Sequence, residues 1–178
     1  MASTPIPDVV RNRLWHDRAD LQVYVILDGA QNETLLDVMA DHEELDYRCL
    51  INDKLEPDMQ EVAPYLIHLV EDAPFTQWLL EHGWAQNWGI FLTSQEELPS
   101  VWRHLRQHTR VWSPERRRLF FRFYDPRVLN AFLPTCDAGQ LEAFFGNVDQ
   151  FVAEREGPGA WAYSLADGAL VTEGIEAV

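Results

Sequence analysis

Leu119-Phe-Phe-Arg-Phe-Tyr-Asp-Pro-Arg-Val-Leu129 reads as a strand that turns directly into a helix. Phe120, Phe121, Phe123 and Tyr124 form an aromatic run of the kind that fits a pleated, half-buried surface. Asp125 follows as an N-cap, its carboxylate placed to accept from the free N–H groups of the next turn. Pro126 takes the first helical position, where a missing N–H loses nothing. Val128, Leu129 and Phe132 give that helix an apolar side, and Pro134 stops it. Arg122 is the one charge inside the run. It either points to the face opposite its aromatic neighbours or pairs with a nearby acid.

The alternation of apolar runs and helical stretches extends in both directions. Leu21-Gln-Val-Tyr-Val-Ile-Leu27 is apolar enough for a strand covered on both faces. Further strands are expected at 47–51, 63–70 and 87–93, with Pro64 at a strand start or edge because it cannot donate to a ladder. Helices are expected over about 9–17, 32–41 and 74–82, with Gly83 as a C-cap. A long helix should follow residue 93 and reach about Trp112, and shorter ones should span 126–133 and 138–145. A polar loop containing Pro57 runs through Glu61. After Gly146 the pattern changes to a strand over 148–153 and a hairpin turning at Asp167-Gly168, a favoured turn pair. The expectation is a single α/β domain, with a mixed or partly parallel sheet flanked by helices and a small C-terminal hairpin. In that reading the strands at 21–27, 63–70, 87–93 and 119–124 share the sheet. Glu156-Gly-Pro-Gly159 divides an α/β body, 1–156, from a hairpin or tail, 157–178.

A chain of 178 residues that is 47% hydrophobic is long enough to bury a substantial core. It has no apolar run of membrane-span length and no N-terminal basic-then-apolar signal, so a cytoplasmic protein is expected. Cys49 and Cys136 lack metal-ligand spacing and read as buried free thiols. A net charge of -15 argues against nucleic acid or an anionic membrane as partner. The distribution is uneven. Residues 101–127 carry eight of the 14 basic residues against Glu115 and Asp125, while residues 28–72 carry 13 acids against Arg48 and Lys54. Either the two segments pair with each other, or they face partners of opposite sign.

Candidate catalytic groups each have a structural explanation. Asp28 ends a strand, but Asp28-Gly-Ala-Gln lacks the glycine spacing of a phosphate loop and suits a helix cap. Ser94 lies between a strand and a helix without the Gly-x-Ser-x-Gly frame of a nucleophile elbow. Ser94-Gln-Glu-Glu97 fits a capping box instead, in a register that Pro99 complicates. His104 and His108 share a helix face, yet no third metal ligand accompanies them, and they read as a surface pair. No cofactor and no catalytic set is expected. The expected binding group is arginine-rich: Arg103, Arg106 and Arg110 along one side of the long helix, then Arg116, Arg117 and Arg118. Arginine with almost no lysine suits bidentate recognition of carboxylates at an interface.

Three stretches carry a family resemblance: Trp88-Gly-Ile-Phe-Leu92, Phe121-Arg-Phe-Tyr-Asp-Pro-Arg-Val-Leu129 and Phe144-Phe-Gly146. With weaker matches at Tyr24-Val-Ile-Leu-Asp28, Ala63-Pro-Tyr-Leu66 and Phe75-Thr-Gln-Trp78, the chain resembles the effector-chaperone (adaptor) family of bacterial type VI secretion, Tap/Tec type. The resemblance covers roughly residues 21–155. It implies a non-enzymatic, cytoplasmic protein that binds a toxic effector and helps load it onto the VgrG spike. Longer members carry a further C-terminal lobe where this sequence has only residues 160–178. The motif residues Trp88, Gly89, Phe91, Arg122, Phe123, Tyr124, Asp125, Pro126 and Arg127 look like fold determinants, so they do not locate the binding surface. The alternative is an enzyme of unassigned type, a hydrolase using Asp28, Ser94 or a histidine.

Overall fold

Val23, Val25 and Leu27 point to one side of a central strand, Tyr24 and Ile26 to the other, and all five are buried. That strand is β1 (Gln22–Asp28), and its double burial fixes a three-layer architecture, helices on both faces of one sheet. The computed structural model describes residues 6–17, 20–51 and 54–177. In chain order it runs α1 (Ile6–Arg11), continued by a wider helical turn to His16, β1, α2 (Leu35–Ala40), β2 (Tyr47–Cys49) and α3 (Pro57–Glu61). Then come β3 (Pro64–Leu69), α4 (Pro74–His82), β4 (Gly89–Ser94) and α5 (Leu98–Arg106). A hairpin of β5 (Arg110–Trp112) and β6 (Arg118–Phe120) follows, then α6 (Pro126–Phe132) and α7 (Ala138–Phe145). The chain closes with β7 (Gln150–Glu154), β8 (Ala160–Ala166) and β9 (Ala169–Ile175).

Seven strands form the main sheet in the order β2-β3-β1-β4-β7-β8-β9. The α/β layering matches the sequence reading, but every pairing is antiparallel. The reason lies in β1. The unit β3–α4–β4 is a crossover between two strands that run the same way, as the alternation of elements implies. Yet β1 lies between them and runs against both, so no parallel neighbours touch. The C-terminal hairpin continues the same sheet past residue 156, because β8 pairs with β7 along residues 160–164. Its turn at Asp167-Gly168 is as expected, with positive φ at both residues.

One sheet face packs against α1, α2 and α4 through Val10, Leu14, Leu35, Met39, Phe75 and Leu79. The other packs against α5, α6 and α7 through Leu98, Val101, Leu105, Leu129, Leu141 and Phe144. The stretch at 119–129 departs from its reading. Only 118–120 is extended and hydrogen-bonded as a strand, and it pairs with β5 outside the main sheet. Phe123 and Tyr124 are consecutive and both buried in the same core. A strand sends neighbours to opposite faces and cannot do this. A turn closed by Asp125 N–H donating to Arg122 O does. Phe121 and Phe123 then join Phe132, Phe144 and Phe151 in a ring cluster, edge-to-face except for the tilted Phe144–Phe151 pair.

Candidate protein-docking site

The β5–β6 hairpin projects large apolar side chains into solvent. Val111, Trp112, Leu119 and Phe120 are 41%, 69%, 48% and 56% exposed. Apolar surface left together in one place marks an interaction site more often than chance exposure does. Period-two alternation sorts the hairpin. Arg110 faces Phe120 and Trp112 faces Arg118 across one face, and Val111 faces Leu119 across the other. Each guanidinium on the first face lies over its partner's ring, Arg110 at 5.7 Å from Phe120 and Arg118 at 5.8 Å from Trp112. The turn between the strands is built on Ser113, whose carbonyl accepts from Arg116 N–H and whose hydroxyl accepts from Arg117 N–H. Arg116 has a φ of 60°, where glycine or asparagine is usual. The sequence reads as an arginine turn here, but with arginine in the left-handed position nothing marks it as the turn of a hairpin.

The long helix expected to reach Trp112 therefore ends at Arg106, so Trp112 is an exposed hairpin residue and Arg110 does not share a helix side with Arg103 and Arg106. Thr109 breaks the helix by turning its hydroxyl back to Arg106 O. The structure still brings Arg106, Arg110 and Arg118 together. With Ile51 and Trp112 they line a groove of about 400 Å³. A second hollow of about 240 Å³ lies against Leu119 and Phe120. Arg106 also lies over the Trp102 ring at 4.8 Å, as does Arg48 of β2 at 5.3 Å. The Trp102 indole N–H donates to Cys49 O, which ties α5 to the sheet edge. Arg103, Arg116 and Arg117 lie outside the groove lining. Among the described residues, none of the six arginines forms an ion pair. Among the described residues, the basic segment forms an ion pair with the acidic one only through Arg122 and Asp28. Internal pairing among the described residues thus leaves these six guanidiniums unneutralised.

The motif residues sit elsewhere, at structural joints. Asp28 is buried, caps a short turn by accepting from Ala30 N–H, and ion-pairs with Arg122. Asp125 caps α6 by accepting from Arg127 N–H, and the Arg127 guanidinium grips the same carboxylate with two bonds. These donors hold Asp125 below the usual carboxylate range although burial pushes the other way. Trp88 stacks on Trp78, its carbonyl accepts from Asp28 N–H, and Phe91 packs into the core beside it. Pro126 is buried at the start of α6.

Ser94 does not cap α5, whose N-cap is Glu97 without a side-chain bond. Its hydroxyl instead donates to Asn147 O and accepts from Glu96 N–H. His104 and His108 are half-buried rather than a surface pair. The His104 Nε2–H donates to Phe144 O, and the His108 ring packs between His104 and Phe144. Gly146 completes this contact, because a Cβ there would stand 2.2 Å from the His104 ring, and its φ is +52°. Cys49 and Cys136 are free but only half-buried.

Burial, with His104 beside it, pushes His108 down to about 4. A histidine whose folded pKa lies below its unfolded value contributes full stability above about pH 6.5, lost as pH falls toward 4. With a discount for partial exposure, that loss should be about 1–2 kcal/mol. Chemical denaturation at pH 7 and pH 4.5 should show a smaller difference in His108→Leu than in the wild type. An equal difference would mean that another group drives it.

Residues 23–143 match a family described as a domain of unknown function (DUF4123). No curated protein and no solved structure matches the chain.

Proposed function

The chain belongs to the DUF4123 family, and on that premise we propose that it is a non-enzymatic adaptor of type VI secretion. It binds a secreted effector in the cytoplasm and helps load that effector onto the VgrG spike. The observation that carries the reading is the β5–β6 hairpin, where four exposed apolar side chains stand among guanidiniums that no acid of this chain neutralises among the described residues. Arginine and exposed tryptophan are the side chains most enriched at interface hot spots. The partner surface that suits them is acidic and apolar together, with carboxylates for the arginine forks and an aliphatic or aromatic pocket for Trp112 and Phe120. Asp28, Ser94 and His104 are occupied by structural bonds, which favours binding over chemistry at those positions.

The test is co-purification with the products of the genes beside this one, which this reading expects to include a spike and a toxin. Truncating an interface anchor typically costs about 2 kcal/mol or more, roughly thirtyfold in affinity. Trp112→Ser with Phe120→Ser should therefore abolish recovery of the complex while the melting temperature stays near wild type. Arg116, Arg117 and Arg118 changed to Glu should weaken it most at low salt. Undiminished binding by both variants would overturn the hairpin as the docking surface. Failure of the wild-type chain to bind either neighbour would overturn the adaptor reading.

A further inference from the structure

At the opposite end of β7 from its start beside Thr93, the side chain of Glu154 forms the floor of a cavity of about 400 Å³. Trp84 and Asn87 wall it from the α4–β4 loop, Asn130 and Arg127 from α6, and Arg155 from the chain beyond β7. Beneath the carboxylate lies apolar core, Val25, Leu27 and Phe91. The loop is held so that its amides face the carboxylate. Asn87 N–H donates to Glu154 Oε2 at 3.3 Å, and Ala85 N–H supports the same group, both residues at positive φ. Three of the other polar side chains have partners of their own. Arg127 is bound to Asp125 and Arg155 to Glu176. Asn130 donates to Glu154 O and accepts from Tyr163 OH. Glu154 is thus a mostly buried carboxylate with an amide donor on Oε2, an open cavity before it and no ion-pair partner among the described residues.

We propose that this cavity binds a primary ammonium group carried on a polypeptide, either a lysine side chain or an amino terminus. Glu154 is its carboxylate partner and the Trp84 indole its wall. The mostly buried Glu154 carboxylate beside the Trp84 side chain, with Glu156 also in the lining, suits a compact monovalent cation. A hard divalent metal needs several oxygen ligands, and no group of three acidic, histidine or cysteine side chains stands together here among the described residues. The rim guanidiniums of Arg127 and Arg155 have N–H groups beyond those their carboxylates use, and these suit the carbonyl oxygens flanking the ammonium in a peptide. This site is distinct from the β5–β6 hairpin, and it stands or falls without the adaptor reading.

Burial pushes the Glu154 carboxyl up to about 7. The charged groups facing it are Arg127 of α6 and Arg155 and Glu156 beyond β7. The lining residues of the α4–β4 loop are uncharged. An ammonium ion binding the protonated form displaces one proton to solvent and leaves a carboxylate–ammonium pair. Affinity should therefore rise about tenfold between pH 6 and pH 8 for a lysine, as the fraction of ionised carboxylate does, and about fourfold for a terminal amine, which is itself losing its proton by pH 8.

The experiment titrates the full chain with two peptides, followed by calorimetry and by amide and indole NMR shifts. One has blocked ends and a single lysine; the other has a free amino terminus and no lysine. Saturable binding of either one, with the expected pH dependence and indole shifts lost in Trp84→Leu, supports the site. The two sources separate by which peptide binds, and also above pH 8, where a terminal amine loses its charge and lysine keeps it. Glu154→Gln keeps the amide acceptor and should bind at least tenfold more weakly at pH 8, with no pH dependence. Binding of neither peptide by the wild type, or equal binding by Glu154→Gln, would overturn the proposal. Should Glu154→Gln fail to fold, the wild-type pH profile and Trp84→Leu decide the matter alone.

Discussion

Gly89→Ala is expected to lose about 4 kcal/mol of stability or more, enough to leave much of the chain unfolded at 37 °C. Gly89 lies opposite Leu27, where β4 starts its pairing with β1. A Cβ built there would stand 1.8 Å from the Ile26 carbonyl oxygen, a backbone atom. A flexible side chain could swing away from such a contact. Ile26 cannot, because β1 is held between two antiparallel neighbours, with Ile26 in register with Leu66 of β3 and Ile90 of β4. Relief would have to come from separating β4 from β1, which also opens the Trp88 carbonyl's bond to Asp28 N–H. Urea unfolding monitored by tryptophan fluorescence measures the cost. A loss below about 1 kcal/mol would mean that β4 shifts freely and that the glycine is present for another reason.

The glycine shows why some of this molecule could be read from its sequence and some could not. β1, β3 and β4 are buried on both faces, so each appears as an unbroken apolar run whatever its neighbours are. The direction of pairing leaves no such mark: β1 between β3 and β4 looks the same in sequence as β1 beside either. The aromatic run at 120–124 misled because strand-favouring residues also serve as core plugs. Phe123 and Tyr124 enter one core through a turn, and local pattern alone does not separate the two uses. The cap at Asp125 was readable because its donors lie two residues away. The arginine cluster was readable as charge, yet half of its surface was not. Trp112 reads as the core-facing end of a long helix and Phe120 as part of a strand, and the left-handed Arg116 gave no hairpin signal. Glu154 was not readable at all. Its donors come from residues 85 and 87, nearly seventy positions away, and only the fold brings them to it.

Arg122→Leu should also be severe, with a loss of about 3 kcal/mol, at the low end for breaking a buried pair because the guanidinium is itself partly exposed. Asp28 is only 1% exposed at the end of β1. One of its oxygens accepts from Ala30 N–H, and the other is met by Arg122. Without the guanidinium, a carboxylate remains in the protein interior with a single amide donor. The pair also spans 94 residues of sequence, stitching the end of β1 to the turn that carries Phe123 and Tyr124 into the second core. Asp28→Asn made together with Arg122→Leu should recover part of the loss, because it removes the charge left behind. That recovery separates a buried-charge effect from lost packing of the arginine stem, which the second change would not repair. The pair also offers a contrast with the hairpin. Arg122→Leu should lower stability, and binding by the protein that remains folded should be near wild type. Trp112→Ser with Phe120→Ser should do the reverse. If folded Arg122→Leu protein fails to bind the effector or the spike at all, the turn at 122–125 belongs to the docking surface, and fold determinants and binding residues are not separate sets in this chain.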